Sequence, residues 1–188
     1  MATLDDLNRA DDQTAFGYVS PLIERAPDIA RRVAARRPFA NLEALSSAIQ
    51  DELSNLNEAE SIALFREHPE LAPENPLSMT AESQNEQGRM DLTCLQSEYR
   101  ETLASMNSEY QKKFGFPFIT ALVRHPNMES VLDEFRDRLN AERDAEIRSA
   151  IEQVAAVSAA RVRKTFEECH TGSSFDSDRK NRSGLHGG

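Results

Sequence analysis

The chain has 188 residues, a formal net charge of −10 at pH 7 and an isoelectric point near 4.9. A chain of this length can bury one hydrophobic core, whereas two domains would be cramped. The acidic balance argues against a surface that grips nucleic acid or anionic lipid, because both need clustered Lys and Arg. We therefore expect one domain without a nucleic-acid or membrane partner.

The sequence carries no sign of export or of a metal centre. No apolar run approaches the roughly 20 residues that span a bilayer, and residues 1–12 are too polar and acidic for a signal peptide. Cys94 and Cys169 lie far apart without metal-ligand spacing, which is typical of reduced cytosolic thiols. The C-terminal residues 185–188 do not form a Ser-Lys-Leu peroxisomal signal. We expect a cytoplasmic protein with no bound metal.

Helical periodicity runs through most of the chain, and no segment alternates apolar and polar residues as a strand would. The predicted helices cover residues 4–9, 15–25, 27–35, 42–53, 57–65, 80–90, 95–113, 117–124, 128–139 and 143–166. From residue 169 onward, Gly, Ser, Asp and Lys replace the apolar residues, so a disordered tail is predicted over 169–188. The fold prediction is an all-α, single-domain bundle of about eight to nine helices over residues 1–168.

Three stretches of the chain combine residues that suit a small-molecule site. One predicted helix ends at His68, where the following proline disfavours helical geometry and frees the side chain. Ser83, Glu86 and Gln87 fall at i, i+3 and i+4, on one face of a short helix. A third stretch, residues 114–119, is too apolar and aromatic for an ordinary surface loop. If the three meet, they form a pocket with a titratable base, a carboxylate and an amide.

Ordinary structural roles compete with this interpretation. A histidine near a helix C-terminus interacts favourably with the helix dipole and so can serve only to stabilise the helix. This structural role is available to both His68 and His125. Ser-x-x-Glu is also a common pattern at helix starts. The chain has no glycine-rich phosphate loop, no Gly-x-Ser-x-Gly elbow and no metal-ligand spacing. Any catalysis would therefore rest on side chains, chiefly on proton transfer by a histidine.

Several motifs, in their order and spacing, resemble the 2-oxo-4-hydroxy-4-carboxy-5-ureidoimidazoline (OHCU) decarboxylase family of urate catabolism. The resemblance runs from about Phe16 to Phe166. The motifs that carry it are Arg37-Pro38-Phe39, His68-Pro69-Glu70-Leu71-Ala72, Ser83-x-x-Glu86-Gln87, Asn107-Ser108-Glu109-Tyr110-x-x-x-Phe114-Gly115-Phe116-Pro117-Phe118, and Arg161 near the end of the last helix.

The resemblance implies an all-helical homodimer that needs no cofactor and converts OHCU to (S)-allantoin, the third step from urate. By position, His68 would be the catalytic acid or base and Glu86 its carboxylate partner. The residues that would bind substrate are Pro69, Ser83, Gln87, Phe118, Ile119, Thr120, Ala121, Leu122 and Arg161. The departures from the family pattern are small: Val162 stands where leucine is commoner, and residues 88–90 are unusual.

The expected chemistry needs no metal, because loss of CO₂ leaves an electron pair that can spread into a neighbouring C=N bond. We expect Arg161 to pair with the substrate through its planar fork and His68, held by Glu86, to exchange a proton with the hydroxyl group. Two alternatives stay open: an enzyme of this fold that acts on a related ureide, and a non-catalytic helical interaction module. A functional association with 5-hydroxyisourate hydrolase and urate oxidase is also left open.

Overall fold

The computed structural model describes residues 2–94 and 98–166, and within them the all-α prediction is confirmed. The α-helices of these residues are α1 (Leu4–Arg9), α2 (Asp12–Val19), α3 (Pro27–Ala35), α4 (Leu42–Ser54), α5 (Glu58–Arg66), α6 (Ala81–Gly88), α7 (Arg100–Phe114), α8 (Met128–Leu139) and α9 (Arg143–Phe166). Short 3₁₀ helices cover Ser20–Leu22, Pro76–Ser78 and Leu122–Arg124. The tail predicted over 169–188 lies outside the described residues.

Side-chain caps fix where several of these helices begin. Asn41, Asn57 and Thr80 each accept a hydrogen bond from a backbone N–H in the first turn that follows. Such a cap satisfies one of the four N–H groups that a helix start leaves without a partner, and stabilises the helix by about 1 kcal/mol. Asn57 forms a complete capping box with Glu60. Sequence predicts these starts well because the cap is a local interaction.

The long helix α9 runs through the centre of the bundle. It packs against α4 and α5 and against the Ser20–Leu22 turn, and its buried face includes Val154, Val162 and Phe166. With 24 residues it is about 36 Å long, so one helix joins the core to the functional site. Among the described residues, no helix is long and apolar enough to cross a membrane.

The prediction of a helix over residues 117–124 is wrong. The chain runs irregularly from Phe116 to Ala121, and only Leu122–Arg124 form a 3₁₀ turn. Phe116 and Phe118 are both buried against the ring of Tyr110, which two residues at i and i+2 of a helix could not achieve, because they would lie on opposite sides. The left-handed Gly115, with φ of 81°, ends α7 and starts this segment.

Two other predicted boundaries differ from the structure. The helix predicted over 15–25 ends at Val19 and tightens into the 3₁₀ turn Ser20–Leu22, since Pro21 has no N–H to continue the α-helical ladder. The helix predicted from residue 95 begins at Arg100, and residues 95–97 lie outside the described part. The early end of α2 matters for function, because the residues after the turn lead directly to Glu24.

Candidate active site

The structure brings the three stretches together around a cavity of about 630 Å³. Helix α6, the Phe118–Val123 segment and the end of α9 form its walls, and Pro69 and Leu71 contribute from the segment after α5. Every substrate-binding residue expected from the sequence lines it: Pro69, Ser83, Gln87, Phe118, Ile119, Thr120, Ala121, Leu122 and Arg161. Glu86 lines it as well, whereas His68, which precedes the lining residue Pro69 in the chain, does not line it.

Arg161 lies at the centre of the hydrogen-bond network in the polar part of this site, which we call the Arg161 hub. Its guanidinium makes two parallel bonds to Glu86, from Nε to Oε1 at 2.7 Å and from Nη2 to Oε2 at 2.8 Å. Nη2 also donates to the Ser83 hydroxyl at 3.3 Å, and Nη1 donates to the Pro21 carbonyl at 3.3 Å and to Glu24 at 3.1 Å. These five bonds match the five N–H donors of a guanidinium. Arg161 therefore organises the site from within.

Glu24 is a buried carboxylate that the sequence analysis did not single out. It is 3% exposed and follows the Ser20–Leu22 turn. One of its oxygens accepts from the hydroxyl of Ser83 at 2.9 Å and from Arg161 at 3.1 Å. The Thr80 hydroxyl donates to the same carboxylate at 2.9 Å. Burial opposes a charge on Arg161, but its bonds and attraction to Glu86 and Glu24 outweigh burial and raise its pKa.

Gln87 clamps the segment that follows His68. Its side-chain oxygen accepts from the Ala72 N–H at 2.8 Å, and its amide nitrogen donates to the Glu70 carbonyl at 2.9 Å. Asn107 on α7 adds a bond to the Leu71 carbonyl at 2.9 Å. Ala72 adopts a φ of 50°, a left-handed conformation that costs a non-glycine residue about 1 kcal/mol. The clamp therefore holds a strained backbone in place along the cavity wall.

The ring of His68 is neutral near pH 7, and its tautomer is set by the backbone. Its Nδ1 lies 3.0 Å from the Leu64 carbonyl, which can only accept, so Nδ1 carries the hydrogen and Nε2 is the unprotonated nitrogen. Burial lowers the pKa of His68 to about 4, with Arg161 and Arg25 acting in the same direction. The Leu64 carbonyl and Glu24 act in the opposite direction. Glu86 is committed to Arg161 by both its oxygens.

We predict that this histidine makes the fold acid-sensitive. The unfolded chain binds a proton on His68 below pH 6.5 and the folded chain only below about pH 4, so the folded state loses stability as pH falls between these values. The full loss is about 3 kcal/mol, at 1.36 kcal/mol for each pKa unit. His68→Asn should lack this slope, as measured by urea unfolding of both proteins at several pH values. Parallel pH profiles for the two proteins would contradict the prediction.

A second polar network supports the Phe118–Leu122 wall from behind. Arg138 donates to the Ile119 carbonyl at 2.7 Å and to Glu134 at 2.9 Å, and it pairs with the buried Glu146. Gln153 on α9 accepts from the Ala121 N–H at 3.0 Å. These side chains replace the bonds that a helix or a strand would supply, so an irregular segment can be buried without unsatisfied backbone groups.

His125 also belongs to this network and lines the cavity. Its Nε2 lies 2.7 Å from Glu134 and 3.0 Å from the Thr120 hydroxyl, and its Nδ1 lies 2.5 Å from the Ser130 hydroxyl. The sequence predicts only a helix-ending residue here, because no motif links His125 to Thr120, Ser130 or Glu134. His125 thus fixes the wall at Thr120, away from the Arg161 hub.

The sequence could not have found Glu24 by spacing. Its partners Thr80, Ser83 and Arg161 are 56, 59 and 137 positions away along the chain. The one local signal is weak: Glu24 directly follows two apolar residues, Leu22 and Ile23, at the end of a predicted helix face. Within the described ranges, no three His, Cys, Asp or Glu side chains are placed to hold a metal ion.

Comparison with known proteins connects this site to a family. A sequence profile described as OHCU decarboxylase matches residues 8–163. A 2-oxo-4-hydroxy-4-carboxy-5-ureidoimidazoline decarboxylase of Halalkalicoccus jeotgali is 31% identical, over 85% of this chain and 89% of its own length. The uric acid degradation bifunctional protein PucL of Bacillus subtilis is 29% identical over 89% of this chain, and the matched region is 33% of that protein.

The fold has solved relatives too. The crystal structure of an OHCU decarboxylase in the presence of (S)-allantoin superposes with a TM-score of 0.65. The superposition covers 85% of this chain and 100% of the other, at 19% sequence identity. At this identity the likeness concerns the arrangement of helices and leaves the chemistry to be argued from the side chains.

Proposed function

We propose that this chain, which belongs to the OHCU decarboxylase family, decarboxylates 2-oxo-4-hydroxy-4-carboxy-5-ureidoimidazoline to (S)-allantoin in urate degradation. One observation carries the proposal beyond family membership. A carboxylate–guanidinium cluster lines one side of a cavity of about 630 Å³, within the range of small-molecule sites, and a neutral histidine, His68, directly precedes the lining residue Pro69. Proton transfer is the chemistry that such a set of groups can perform.

The proposed reaction balances with proton transfers alone. The bond between the ring carbon and the carboxylate breaks and CO₂ leaves. The electron pair of that bond forms a C=C bond to the carbon that bears the ureido group, and the π electrons of the former C=N bond move to the ring nitrogen, which takes up a proton. The hydroxyl group on the same carbon gives up its proton and becomes a ring carbonyl. The carbon that bears the ureido group then accepts a proton, and delivery from one face sets the configuration of allantoin. The overall reaction consumes one proton, because a carboxylate is replaced by a C–H bond.

His68 is the proposed acid and base of this sequence. Its Nδ1–H is held by the Leu64 carbonyl, so the exchange uses Nε2. A neutral imidazole can take the hydroxyl proton at pH 7, which an imidazolium could not. Because desolvation lowers the pKa of His68 to about 4, the imidazolium that forms is a better acid than an ordinary one and returns its proton to carbon. The ring would reach the substrate from behind Pro69.

The other residues of the site bind and orient the substrate in this proposal. Glu86 and Ser83 face the cavity and are fixed by Arg161. Phe118 and Ile119 supply apolar surface, and Thr120, Ala121 and Leu122 line the same wall, where their backbone carbonyls would accept hydrogen bonds from ring and ureido amides. Exposed cations at the cavity, Arg89 and Lys164, favour a substrate that carries a carboxylate into an acidic protein.

The experiment that tests this function is circular dichroism during a coupled reaction. Urate, urate oxidase and a ring-opening hydrolase generate the substrate in place, and this protein is added last, with EDTA present. We expect an optical signal of (S)-allantoin that grows much faster than the slow, racemic background. A folded protein that leaves the background unchanged would overturn the proposal and favour a related ureide as substrate or an interaction module.

Three further properties are proposed: the homodimer follows from the family resemblance, the location from the sequence signals, and the association from a relative. We expect a homodimer, which light scattering would contradict by giving a mass near 21.1 kDa. We expect a cytoplasmic location, which cell fractionation tests. The match to one third of the bifunctional PucL supports a functional association with urate oxidase and 5-hydroxyisourate hydrolase. Co-purification of the three proteins at native levels tests that association, and separate elution would count against it.

A further inference from the structure

The charges of the ion-paired cluster Glu24, Glu86 and Arg161 do not balance among themselves, and the excess negative charge points to Glu24, which has no assigned role. Glu24 and Glu86 share the single guanidinium of Arg161, so the three groups together carry one net negative charge while His68 is neutral. Arg25 follows in sequence but is exposed and donates away from the cluster, to the Ser78 carbonyl at 2.6 Å. One proton on His68 would bring this group of side chains to neutrality.

The two carboxylates differ in how far their charge is compensated. Both oxygens of Glu86 are bound by Arg161 in parallel, and its side chain is 33% exposed at the cavity. Glu24 receives one bond from Arg161, at the longer distance of 3.1 Å, and otherwise only neutral hydroxyl groups. Its side chain is 2% exposed, so water does not screen its charge. The uncompensated charge therefore resides mainly on Glu24.

We infer that Glu24 is the positioning residue of this site: it holds Ser83 and Arg161 in place and supplies the negative charge that stabilises His68 when the ring takes the substrate proton. The inference rests on the proposed function and replaces Glu86 as the electrostatic partner of His68. It gives Glu86 a different task, that of facing the substrate from the cavity wall. Buried carboxylates that stabilise an imidazolium in this way are a general device of proton-transfer enzymes.

The charged groups around His68 agree with this assignment. Glu24 and Arg25 act on the ring from the segment between α2 and α3, and Arg161 acts on it from α9. Its own helix contributes the Leu64 carbonyl. Glu24 is the carboxylate among these groups, and its attraction raises the pKa of His68 against the effect of burial and of both arginines. Removing the charge of Glu24 should leave His68 even harder to protonate.

The test compares Glu24→Gln, which removes the charge and keeps hydrogen-bonding atoms, with Glu24→Asp, which keeps the charge. In Glu24→Gln we expect kcat to fall by about 10- to 100-fold while KM changes by less than about threefold, because the stabilised charge exists only in the transition state. Glu24→Asp should recover a substantial part of kcat. Glu146→Gln, which takes a similarly buried carboxylate from Arg138, shows what loss of a buried ion pair alone does.

A second readout is independent of activity. Titration of the His68 ring by NMR should give a lower pKa in Glu24→Gln than in the wild type and an intermediate value in Glu24→Asp. An unchanged titration, or a Glu24→Gln protein whose kcat falls no more than that of Glu146→Gln, would overturn the inference. An inactive wild type would overturn the proposed function instead, and the NMR result would then decide the inference by itself. If Glu24→Gln does not fold, the Glu24→Asp titration and kinetics carry the comparison.

Discussion

Replacing His68 by alanine is expected to leave the helical fold intact and to abolish the enantiomeric excess of the allantoin formed. The residue is the proposed proton carrier, and removing a general acid or base lowers the rate by about 10²–10⁴-fold. The substrate also decays without catalysis, and that route is racemic because no chiral group delivers the proton. Circular dichroism of the coupled reaction reports both quantities, since the initial slope gives the rate and the final amplitude gives the enantiomeric excess.

A matched variant separates chemistry from positioning in this prediction. Asparagine at position 68 can donate to the Leu64 carbonyl, as Nδ1 of the histidine does at 3.0 Å, but it has no counterpart of Nε2. His68→Asn should therefore be as inactive as His68→Ala while it unfolds at a similar urea concentration to the wild type near pH 7. An enantiomeric excess of allantoin retained in either variant would contradict the proposed role of Nε2. A decrease in the decarboxylation rate of well below tenfold would indicate that His68 positions other groups and does not transfer the proton itself.

Replacing Arg161 by methionine is expected to destabilise the protein by about 3–5 kcal/mol, the usual result of removing one partner of a buried ion pair. Glu24 and Glu86 would both lose their cation, and Glu24 is 3% exposed. Urea unfolding at pH 7 measures the loss, and the decarboxylase assay should show no activity above background.

Two control variants show whether the geometry matters. Arg161→Lys keeps the charge but offers three donors where the guanidinium makes five bonds. The free energy of unfolding of this variant should therefore lie between those of Arg161→Met and the wild type. Arg9→Met removes an arginine from an exposed pair with Asp5 and should change the stability by less than about 1 kcal/mol. An Arg161→Met protein as stable as Arg9→Met would contradict the ion-pair account.

The sequence could predict those parts of the site that depend on local spacing or on a family pattern. The i, i+3, i+4 relation placed Ser83, Glu86 and Gln87 on one face of α6, and all three line the cavity. Residues 114–118 were recognised as unusually aromatic, and the rings of Phe114, Phe116 and Phe118 are buried. The helix predicted through Pro117 failed because good local helix signals were overridden by packing of two rings on Tyr110.

Pairings between distant residues could not be predicted. The resemblance predicts that Gln87 binds substrate, and the structure adds that both ends of its amide hold the Glu70–Ala72 backbone. The resemblance predicts Glu86 as the partner of His68, and the structure adds that both oxygens of Glu86 are bound by Arg161. These added contacts have one cause: a polar side chain bonds to the buried partner that the packing of helices brings within about 3 Å.

The amino-acid sequence by itself determined the helices, their caps and the residue types available for proton chemistry. These depend on interactions within one or two helical turns, such as the Asn57–Glu60 capping box. The tertiary structure alone decided which charges meet: it joined Glu24, Ser83 and Arg161 from three distant segments. It also surrounded the half-buried His68 with groups that lower its pKa to about 4. Burial and charge pairing are properties of the packed chain, because desolvation requires neighbours that the local sequence does not specify.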